Sequence, residues 1–498
     1  MLVLAIILIV FFGYKVYKNL HKFPKKLKVS TFVILWLSFC AISILSIQEA
    51  NDTDFNFFIG PALKLHSGEL LGSFYLQYPL AEIYLFKFMI DLGFKLHHMQ
   101  FILAIILIFF FILYYKLASS LIKARFLLFL FMLNLILFRF LGLTFHAISS
   151  PQANPIRLDL WLPLFYIVTK FGFLSPVTSI SFALAYLADD FFGLLMLAVY
   201  IIAIIFPVLR AIIKKDVTNL PKICFLLVPI SLALYLHFYF FGTIISQSAK
   251  LVNDLKYWQM VISPYSMFWP FLLVFPLFLY ISLHGRNQFQ KQIYVFLLGL
   301  ASVELIYFYG RSHEHNLLTT SGILLLILYL TLDKLKGVYK LKWNLYLVPL
   351  FLLIAITVLF SQYIILNLKT VFTRLSSGHI LESNQIDKNI DRNPMFFDNY
   401  LTNKIFLMGF NDAYLNYRYN LTQIGYYSPF VANLYKDETI DLLKSLSLKG
   451  YTLLYEEGAW FNLDEYNNYL KNSNIQFQSS RAKSLGELQF NELKIVEK

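Results

Sequence analysis

Long apolar runs alternate with short polar loops over the first three quarters of the chain. Most of these runs reach the roughly 17–25 residues that an α-helix needs to cross a bilayer. We therefore predict an α-helical, polytopic membrane protein with about twelve spans. The predicted spans are 1–17, 29–48, 97–117, 126–148, 158–172, 173–188, 191–209, 222–242, 264–283, 291–309, 316–333 and 344–366.

Two of these segments have a second interpretation. The short pair 158–172 and 173–188 also fits a re-entrant hairpin, which would leave the rest of the topology unchanged. The first run, 1–17, lacks a small-residue cleavage site and also fits an uncleaved signal-anchor.

Positive charge collects on one side of this predicted topology. Six short loops on one face hold twenty Lys and Arg, and the other face holds seven before the C-terminal region. The positive-inside rule places the richer face in the cytoplasm. The formal net charge of +13 is therefore a topology signal, and no nucleic-acid partner is implied. Acidic residues follow the opposite trend, which predicts a carboxylate-lined cavity on the outer face.

Composition narrows the class of protein further. The chain is 58% hydrophobic and 14% charged. A soluble domain could not bury that much apolar surface. The cysteines Cys40 and Cys224 both fall in apolar runs, so they cannot form a disulfide or zinc framework. An excess of Lys, Asn, Ile and Phe suggests an AT-rich genome. We therefore expect a bacterial protein of the inner membrane.

The composition changes near residue 370, where apolar runs long enough to span a bilayer end. We predict a membrane domain over 1–370 and a small extracytoplasmic α/β domain over 371–498. Its predicted strands are 404–410, 451–457 and 475–481, and its predicted helices are 437–449, capped by Asp437 and stopped by Gly450, and 462–474.

The first outer loop, 49–96, begins with an acidic pair, Asp52 and Asp54. In an extended segment both carboxylates would project to one side and could share a metal ion or a proton. In a helix only one could face a site, and in the simplest interpretation they only mark a helix end. The following residues predict two helices lying in the membrane interface, the first ending at Gly68 and the second over 79–93.

A second polar group lies in the segment ELIYFYGRSHEHNLL, residues 304–318. Glu304 and Arg311 are seven residues apart, so a continuous helix would place them on nearly one face. Arg311 with His313 and His315 suits a phosphate, because guanidinium offers a two-pronged donor and imidazole adds another. The two histidines could instead bind a metal ion, or the segment could be a solvated hairpin.

Other polar residues occupy predicted outer turns or spans. Asp189 and Asp190 stand in a very short turn between two apolar runs. Arg157 could pair with Asp159 or meet a phosphate, and pairing is the preferred interpretation. Arg139 lies inside a predicted span and needs a partner there.

The arrangement of an N-terminal span, an acidic pair, interfacial helices and an aromatic-Pro element resembles the GT-C superfamily of membrane glycosyltransferases, which use polyprenyl-phosphate sugars. By this resemblance a carboxylate at Asp52 or Asp54 acts as general base or binds substrate, and Asp189 or Asp190 matches a second acidic position. The 304–318 group would receive the donor phosphate. Tyr78, in the segment QYPL where many members have His-Pro-Pro-Leu, becomes a substrate-binding candidate; the missing His and Pro leave the subfamily open.

These observations predict an inverting glycosyltransferase that moves a sugar from a polyprenyl-phosphate donor to a glycan, lipid or protein acceptor. The reaction would take place on the outer side of the inner membrane, where nucleotide sugars are absent. The alternatives are a lipid-linked glycan ligase, polymerase or flippase, and a non-enzymatic transporter. No cofactor is required by the sequence, and a need for Mg²⁺ or Mn²⁺, held by Asp52 and Asp54, stays open.

Overall fold

The structure is a computed structural model that describes most of the chain after residue 35. The described backbone comprises residues 36–41, 43–45, 53–141, 150–213, 220–243, 261–284, 288–310, 314–339, 352, 355, 357–377, 385–398, 404–422, 424–425, 436–457, 461–471 and 474–497. The chain divides into two compact units. The helical unit comprises Met1–Gln48, Phe101–Leu236 and Ala249–Ile380, and the loop–sheet unit comprises Glu49–Gln100, His237–Ser248 and Leu381–Lys498.

Helices dominate the described residues. In chain order they are α1 (Thr53–His66), α2 (Leu80–Asp91), α3 (Leu96–Leu121), α4 (Arg125–Ile136), α5 (Pro155–Leu158), α6 (Trp161–Phe171), α7 (Pro176–Ala188), α8 (Phe192–Ile213), α9 (Leu220–Phe241), α10 (Phe268–Leu283), α11 (Gln288–Gly310), α12 (Glu314–Thr319), α13 (Ser321–Tyr339), α14 (Ser361–Ser377), α15 (Gln385–Arg392), α16 (Asp412–Arg418), α17 (Lys436–Leu448) and α18 (Leu463–Tyr469).

Three helices among the described residues are long and apolar enough to cross a membrane. They cover Leu96–Leu121, Cys224–Phe241 and Gln288–Tyr309. Shorter apolar helices occupy most of the other predicted spans for which residues are described. The chain is therefore a membrane protein with a mainly helical fold, as the apolar runs predicted. The number of spans stays a prediction, as does the first span, which lies outside the described residues.

The core of the helical unit is formed by large apolar and aromatic side chains from α3 to α13. One run departs from the predicted helix. Instead of a single helix over 126–148, α4 ends at Ile136 and a π-helical turn follows at Leu137–Leu141. Such turns often accompany functional groups, and this one carries the buried side chain of Arg139.

In the loop–sheet unit, α1 and α2 form a helical pair joined through aromatic rings. Phe58 of α1 lies 5.3 Å from Phe86 of α2 between ring centroids. The turn after α1 contains Gly68 with a φ of 88°, a backbone conformation that glycine adopts without strain. Both helices were expected, although Pro79 is the residue before α2 rather than part of its first turn.

The sheet of this unit has four strands in the order β1 (Ile405–Met408), β2 (Thr452–Glu456), β4 (Leu488–Glu497) and β3 (Ile475–Leu485). β1 and β2 are parallel, with Ile405 opposite Thr452, and the other pairs are antiparallel. A C-terminal sheet is present as predicted, including its first three strands, and the domain bounds 371–498 stay a prediction. The final strand was not predicted, and α17 begins at Lys436, so Asp437 lies in its first turn instead of capping it.

Candidate functional site

The acidic turn of the first loop is helical. Asp54 lies in the first turn of α1 and is half-buried. The free N–H groups and positive end of the helix dipole favour a carboxylate at this position. Asp52 lies outside the described residues. Because α1 has already begun at Thr53, the side-chain direction of Asp54 is set by the rotation of this helix.

Tyr78 lies against the same helix. Its ring stacks on Phe58 with 4.4 Å between centroids, and its side chain is buried. Phe58 is four residues after Asp54, so the two share one face of α1. The structure therefore brings Tyr78 to the side of α1 that carries Asp54.

A buried ionic group forms the centre of the helical unit. Arg139 and Asp159 are each 1% exposed and form an ion pair, and the Tyr114 hydroxyl donates to the same carboxylate oxygen. Arg139 also donates to that hydroxyl at 3.1 Å. Gly322 of α13 approaches so closely that an added Cβ would overlap the Tyr114 hydroxyl. This Tyr–Arg–Asp group is thus formed by α3, the π-helical turn and the residue after α5, with α13 packed against it.

This ion pair corrects one expectation. Arg157 was expected to pair with Asp159, but that carboxylate is bound by Arg139. Arg157 instead donates to the Tyr307 hydroxyl at 3.2 Å and to the Gln152 carbonyl at 3.1 Å. Its guanidinium also lies 5.3 Å from the centre of the Tyr307 ring. The charge of Arg157 also acts on the carboxyl groups of Asp189 and Glu304.

Asp189 ends α7 in the turn before α8, and its side chain is buried. One carboxyl oxygen accepts from the backbone N–H groups of Phe191 at 3.0 Å and Phe192 at 2.9 Å. The other oxygen has no hydrogen-bond partner among the described residues. Burial, with the charge of Asp190 next, raises the pKa of Asp189 to about 7. This carboxyl group is therefore poised to hold a proton near neutral pH. Asp190 itself is half-buried.

Glu304 stands in α11, three residues before Tyr307, and is fully buried. Within the described part of the chain neither of its carboxyl oxygens has a hydrogen-bond partner. Its main electrostatic neighbours are Asp159, Arg139, Asp189 and Arg157. The structure thus brings three predicted site residues, Glu304, Asp189 and Arg157, into one buried group with the Arg139–Asp159 pair.

Several predicted residues are not tested. Arg311 and His313 lie outside the described residues, and α11 ends at Gly310 just before them. His315 is in α12, and its side chain is likewise outside the description. Among the described residues no group of three or more His, Cys, Asp or Glu is placed to hold a metal ion. A site for Mg²⁺ or Mn²⁺ involving Asp52 stays a prediction.

Tyr114 and Tyr307 were missed by the sequence analysis. Each is a tyrosine in a helix rich in aromatic residues, so composition gives no signal for either. Arg139 did give a signal, because an arginine within an apolar span requires a partner.

The fold and the buried ionic group define the class of protein. It is a membrane protein whose helical unit buries acidic and arginine side chains, which are energetically costly to bury and usually mark a functional site. Its fold resembles crystal structures of ArnT from Cupriavidus metallidurans. The apo structure has a TM-score of 0.50 at 12% sequence identity, covering 94% of this chain and 98% of that chain. The structure bound to undecaprenyl phosphate has a TM-score of 0.49 at 13% identity, with the same coverage.

No protein-family model matches the chain, and no characterised protein matches it in sequence. The likeness to ArnT shows that the chain has a similar, mainly helical fold. An identity of 12% establishes the fold alone and assigns no activity.

Proposed function

We propose that the protein is an integral-membrane glycosyltransferase that transfers a sugar from a polyprenyl-phosphate donor to an acceptor hydroxyl. The observation that carries this proposal is the buried group of Arg157, Asp189 and Glu304 beside the Arg139–Asp159 pair. Charged groups enclosed by apolar helices are retained mainly where they bind or react. The GT-C type of fold supports the reaction class by analogy.

Arg157 is our candidate for binding the donor phosphate. Its planar guanidinium can donate to two phosphate oxygens, and the Tyr307 ring supports it from one face. Arg311, His313 and His315 keep the phosphate-binding role proposed from the sequence. Asp189 and Glu304 would accept from, or donate to, sugar hydroxyls, since both have carboxyl oxygens without hydrogen-bond partners in the described chain.

Asp54 is our candidate for the general base, with Asp52 as the alternative. The acceptor hydroxyl would give its proton to the carboxylate while its oxygen forms a bond to the anomeric carbon. The bond from that carbon to the phosphate oxygen would break, and the lipid phosphate would leave with the electron pair. Attack from the face opposite the phosphate would invert the anomeric configuration. Tyr78 would line the acceptor side.

The proposed location follows the charge asymmetry of the sequence. Residues 49–96 and 371–498 would lie on the outer side of a bacterial inner membrane, and the basic loops in the cytoplasm. The acceptor would be a glycan, a lipid or a protein presented there. A divalent ion would be compatible with this scheme but is not required by it.

Incubation of the purified protein with a radiolabelled polyprenyl-phosphate sugar tests the proposal through release of free lipid phosphate. Asp54→Asn keeps the shape of the side chain but removes the base, and we expect a loss of roughly 10²–10⁴-fold in turnover. Asp91→Asn is the matched control, since Asp91 is an exposed carboxylate of the same loop that pairs with Lys87.

Wild-type release that depends on an acceptor supports a transferase, and no release would contradict it. If Asp54→Asn and the control both turn over at the wild-type rate, Asp54 is not the base. Asp52→Asn, measured in the same assay, then decides whether its neighbour has that role. Activity that depends on added Mn²⁺ or Mg²⁺ would assign the acidic pair to a metal ion.

A further inference from the structure

Helix α16 of the C-terminal region is capped by a residue of the first loop. Its own N-cap residue, Asn411, makes no side-chain capping bond. The backbone N–H of Tyr414, in the first turn of α16, instead donates to Asn56 Oδ1 at 2.7 Å. Asn56 is 0% exposed, and 358 residues separate the two partners. A polar side chain buried this completely is held in one orientation by its hydrogen bond.

The same helix is bound to the other end of the loop. The backbone N–H of Leu96 donates to the Tyr414 hydroxyl at 3.1 Å, and the Tyr417 hydroxyl donates to the Phe94 carbonyl at 3.1 Å. Lys95, between these two residues, pairs with Asp391 at 2.6 Å. One short helix therefore contacts both the start and the end of the segment 53–96.

The contact through Asn56 fixes the rotation of α1. Successive residues of an α-helix are turned by about 100°, so Asp54 and Asn56 point in nearly opposite directions. With Asn56 directed at α16, Asp54 is directed away from it, toward the face that carries Phe58 and Tyr78. If α1 lost this contact, rotation about its axis would move the Asp54 carboxyl group first.

We propose that α16 positions Asp54 for catalysis, with Asn56 and Tyr414 as the positioning residues. This inference rests on the proposed function, in which Asp54 accepts a proton from the acceptor hydroxyl. It gives the C-terminal α/β domain a direct part in the reaction, because α16 follows β1 of its sheet. Misplacing a reacting group by about 1 Å can cost on the order of 10²-fold in rate.

Asn56→Ala tests the proposal, because it removes the acceptor for the Tyr414 N–H. The matched control is Asn462→Ala. Asn462 caps α18 of the same domain, accepting from Asp464 N at 3.1 Å and Glu465 N at 3.2 Å, so it loses a similar cap away from α1. Both variants should unfold at slightly lower temperatures. Only Asn56→Ala should lower kcat, by roughly 10- to 100-fold, with the donor KM unchanged.

Two further variants and a hydrogen-exchange measurement separate positioning from general destabilisation. Asn56→Asp keeps an oxygen acceptor at the same place and should recover most of kcat. Tyr417→Phe loses only the bond to the Phe94 carbonyl and should show a smaller fall in kcat than Asn56→Ala. This variant tests the same contact should Asn56→Asp fail to fold. Backbone hydrogen exchange over residues 53–66 should accelerate in Asn56→Ala and stay at the wild-type rate in Asn462→Ala.

Equal losses of kcat in Asn56→Ala and Asn462→Ala would overturn the proposal, as would wild-type kcat in Asn56→Ala. Failure of the proposed function is seen separately. In that case the wild type releases no lipid phosphate or Asp54→Asn is fully active, while hydrogen exchange still reports whether Asn56 holds α1.

Discussion

Two groups of identical residue types, each built on a buried aspartate, occur in the two units. They are Tyr114–Arg139–Asp159 in the helical unit and Tyr414–Arg418–Asp387 in the loop–sheet unit. In each group one oxygen of the aspartate accepts from both the tyrosine hydroxyl and the arginine. In each group the arginine also donates to that hydroxyl, at 3.1 Å in the first and 3.0 Å in the second. Their surroundings differ, and the difference bears on the role that we propose for the group of the helical unit.

The group of the loop–sheet unit extends outward through further partners. Arg418 also binds Asp391 at 2.8 Å, and Lys95 binds the same carboxylate at 2.6 Å. The hydrogen bond from Lys95, followed by that from Arg418, lowers the pKa of Asp391. His97 lies 3.5 Å from the Asp387 carboxylate. The ion pairs of this group therefore continue outward to exposed Lys95 and Asp391, although Asp387 Oδ2 and His97 Nδ1 have no hydrogen-bond partner among the described residues.

The group of the helical unit is enclosed and incompletely matched. Glu304 and Asp189 lie within its electrostatic reach, and each has carboxyl oxygens without hydrogen-bond partners in the described residues. Protein interiors rarely keep such atoms, since each costs on the order of 1–3 kcal/mol. Their position beside Arg157 fits the donor-binding role that we propose for this group.

The largest difference between the two groups should follow removal of the arginine. Arg139→Met leaves Asp159 as an uncompensated charge at 1% exposure, which should cost about 3–5 kcal/mol. Arg418→Met should cost less, because the Arg418 side chain is 13% exposed and lies nearer to water than Arg139, which is 1% exposed. Thermal unfolding of the two purified variants, followed by tryptophan fluorescence, measures the difference.

A double variant is the control for this prediction. Arg139→Met combined with Asp159→Asn removes both charges and should recover most of the lost stability. If Arg139→Met and Arg418→Met lower the unfolding temperature equally, the two groups are energetically alike. The contrast drawn from their surroundings would then be wrong.

Glu304→Gln sharpens the comparison by separating stability from activity. An amide is less costly to bury without a partner than a carboxylate, so the variant should be as stable as the wild type or more stable. If Glu304 binds the substrate, turnover should fall by roughly 10- to 100-fold. Unfolding temperature and lipid-phosphate release are measured on the same preparation.

Glu456→Gln is the matched control in the loop–sheet unit. Glu456 is also buried, but its oxygens accept from Asn411 N and Nδ2, each at 3.1 Å. This variant should lose stability and keep its kcat per folded molecule. Unchanged turnover in Glu304→Gln would remove Glu304 from the proposed site.

Sequence patterns predicted the helices well and the ionic partners poorly. Apolar length decides where a membrane helix can form, so the run at 97–117 became α3 within a few residues. Strand β4 was missed because polar residues, including Glu492 and Lys494, interrupt its apolar pattern, although it is a central strand of the sheet. The π-helical turn after Ile136 also left no signal, because its residues are as apolar as the helix before it.

The candidate site needed three-dimensional information for a physical reason. Arg157 is two residues from Asp159, but a short turn at α5 separates their side chains, and the partner comes from Arg139 instead. Likewise, no local pattern links Asn56 to Tyr414, which are 358 residues apart. The sequence could indicate that such polar residues need partners, but which element supplies the partner depends on packing.

The smallest expected effect concerns the pH dependence of donor binding through Asp189. Its pKa is about 7, against an ordinary value of 3.8, because of burial and the neighbouring Asp190. Below pH 7 its free oxygen carries a proton and can donate to a phosphate or sugar oxygen; above pH 7 it is an anion that repels phosphate. The donor KM should therefore rise above pH 7, by about tenfold per pH unit at most for one proton.

The same shift has a defined sign for stability. Between about pH 4 and 7 the folded state keeps a proton that the unfolded chain releases, so stability falls as pH rises through this window and levels off above it.

Asp189→Asn is neutral at every pH and its amide can still donate, so both trends should flatten while KM at pH 6 changes only a few-fold. Asp190→Asn is the control: it should only lower the pH at which KM begins to rise or leave the profile nearly unchanged, because Asp190 is a secondary cause of the shift. An unaltered pH profile in Asp189→Asn would mean that this carboxyl group does not meet the donor, and the enclosed group would then be limited to Arg157, Glu304 and the Arg139–Asp159 pair.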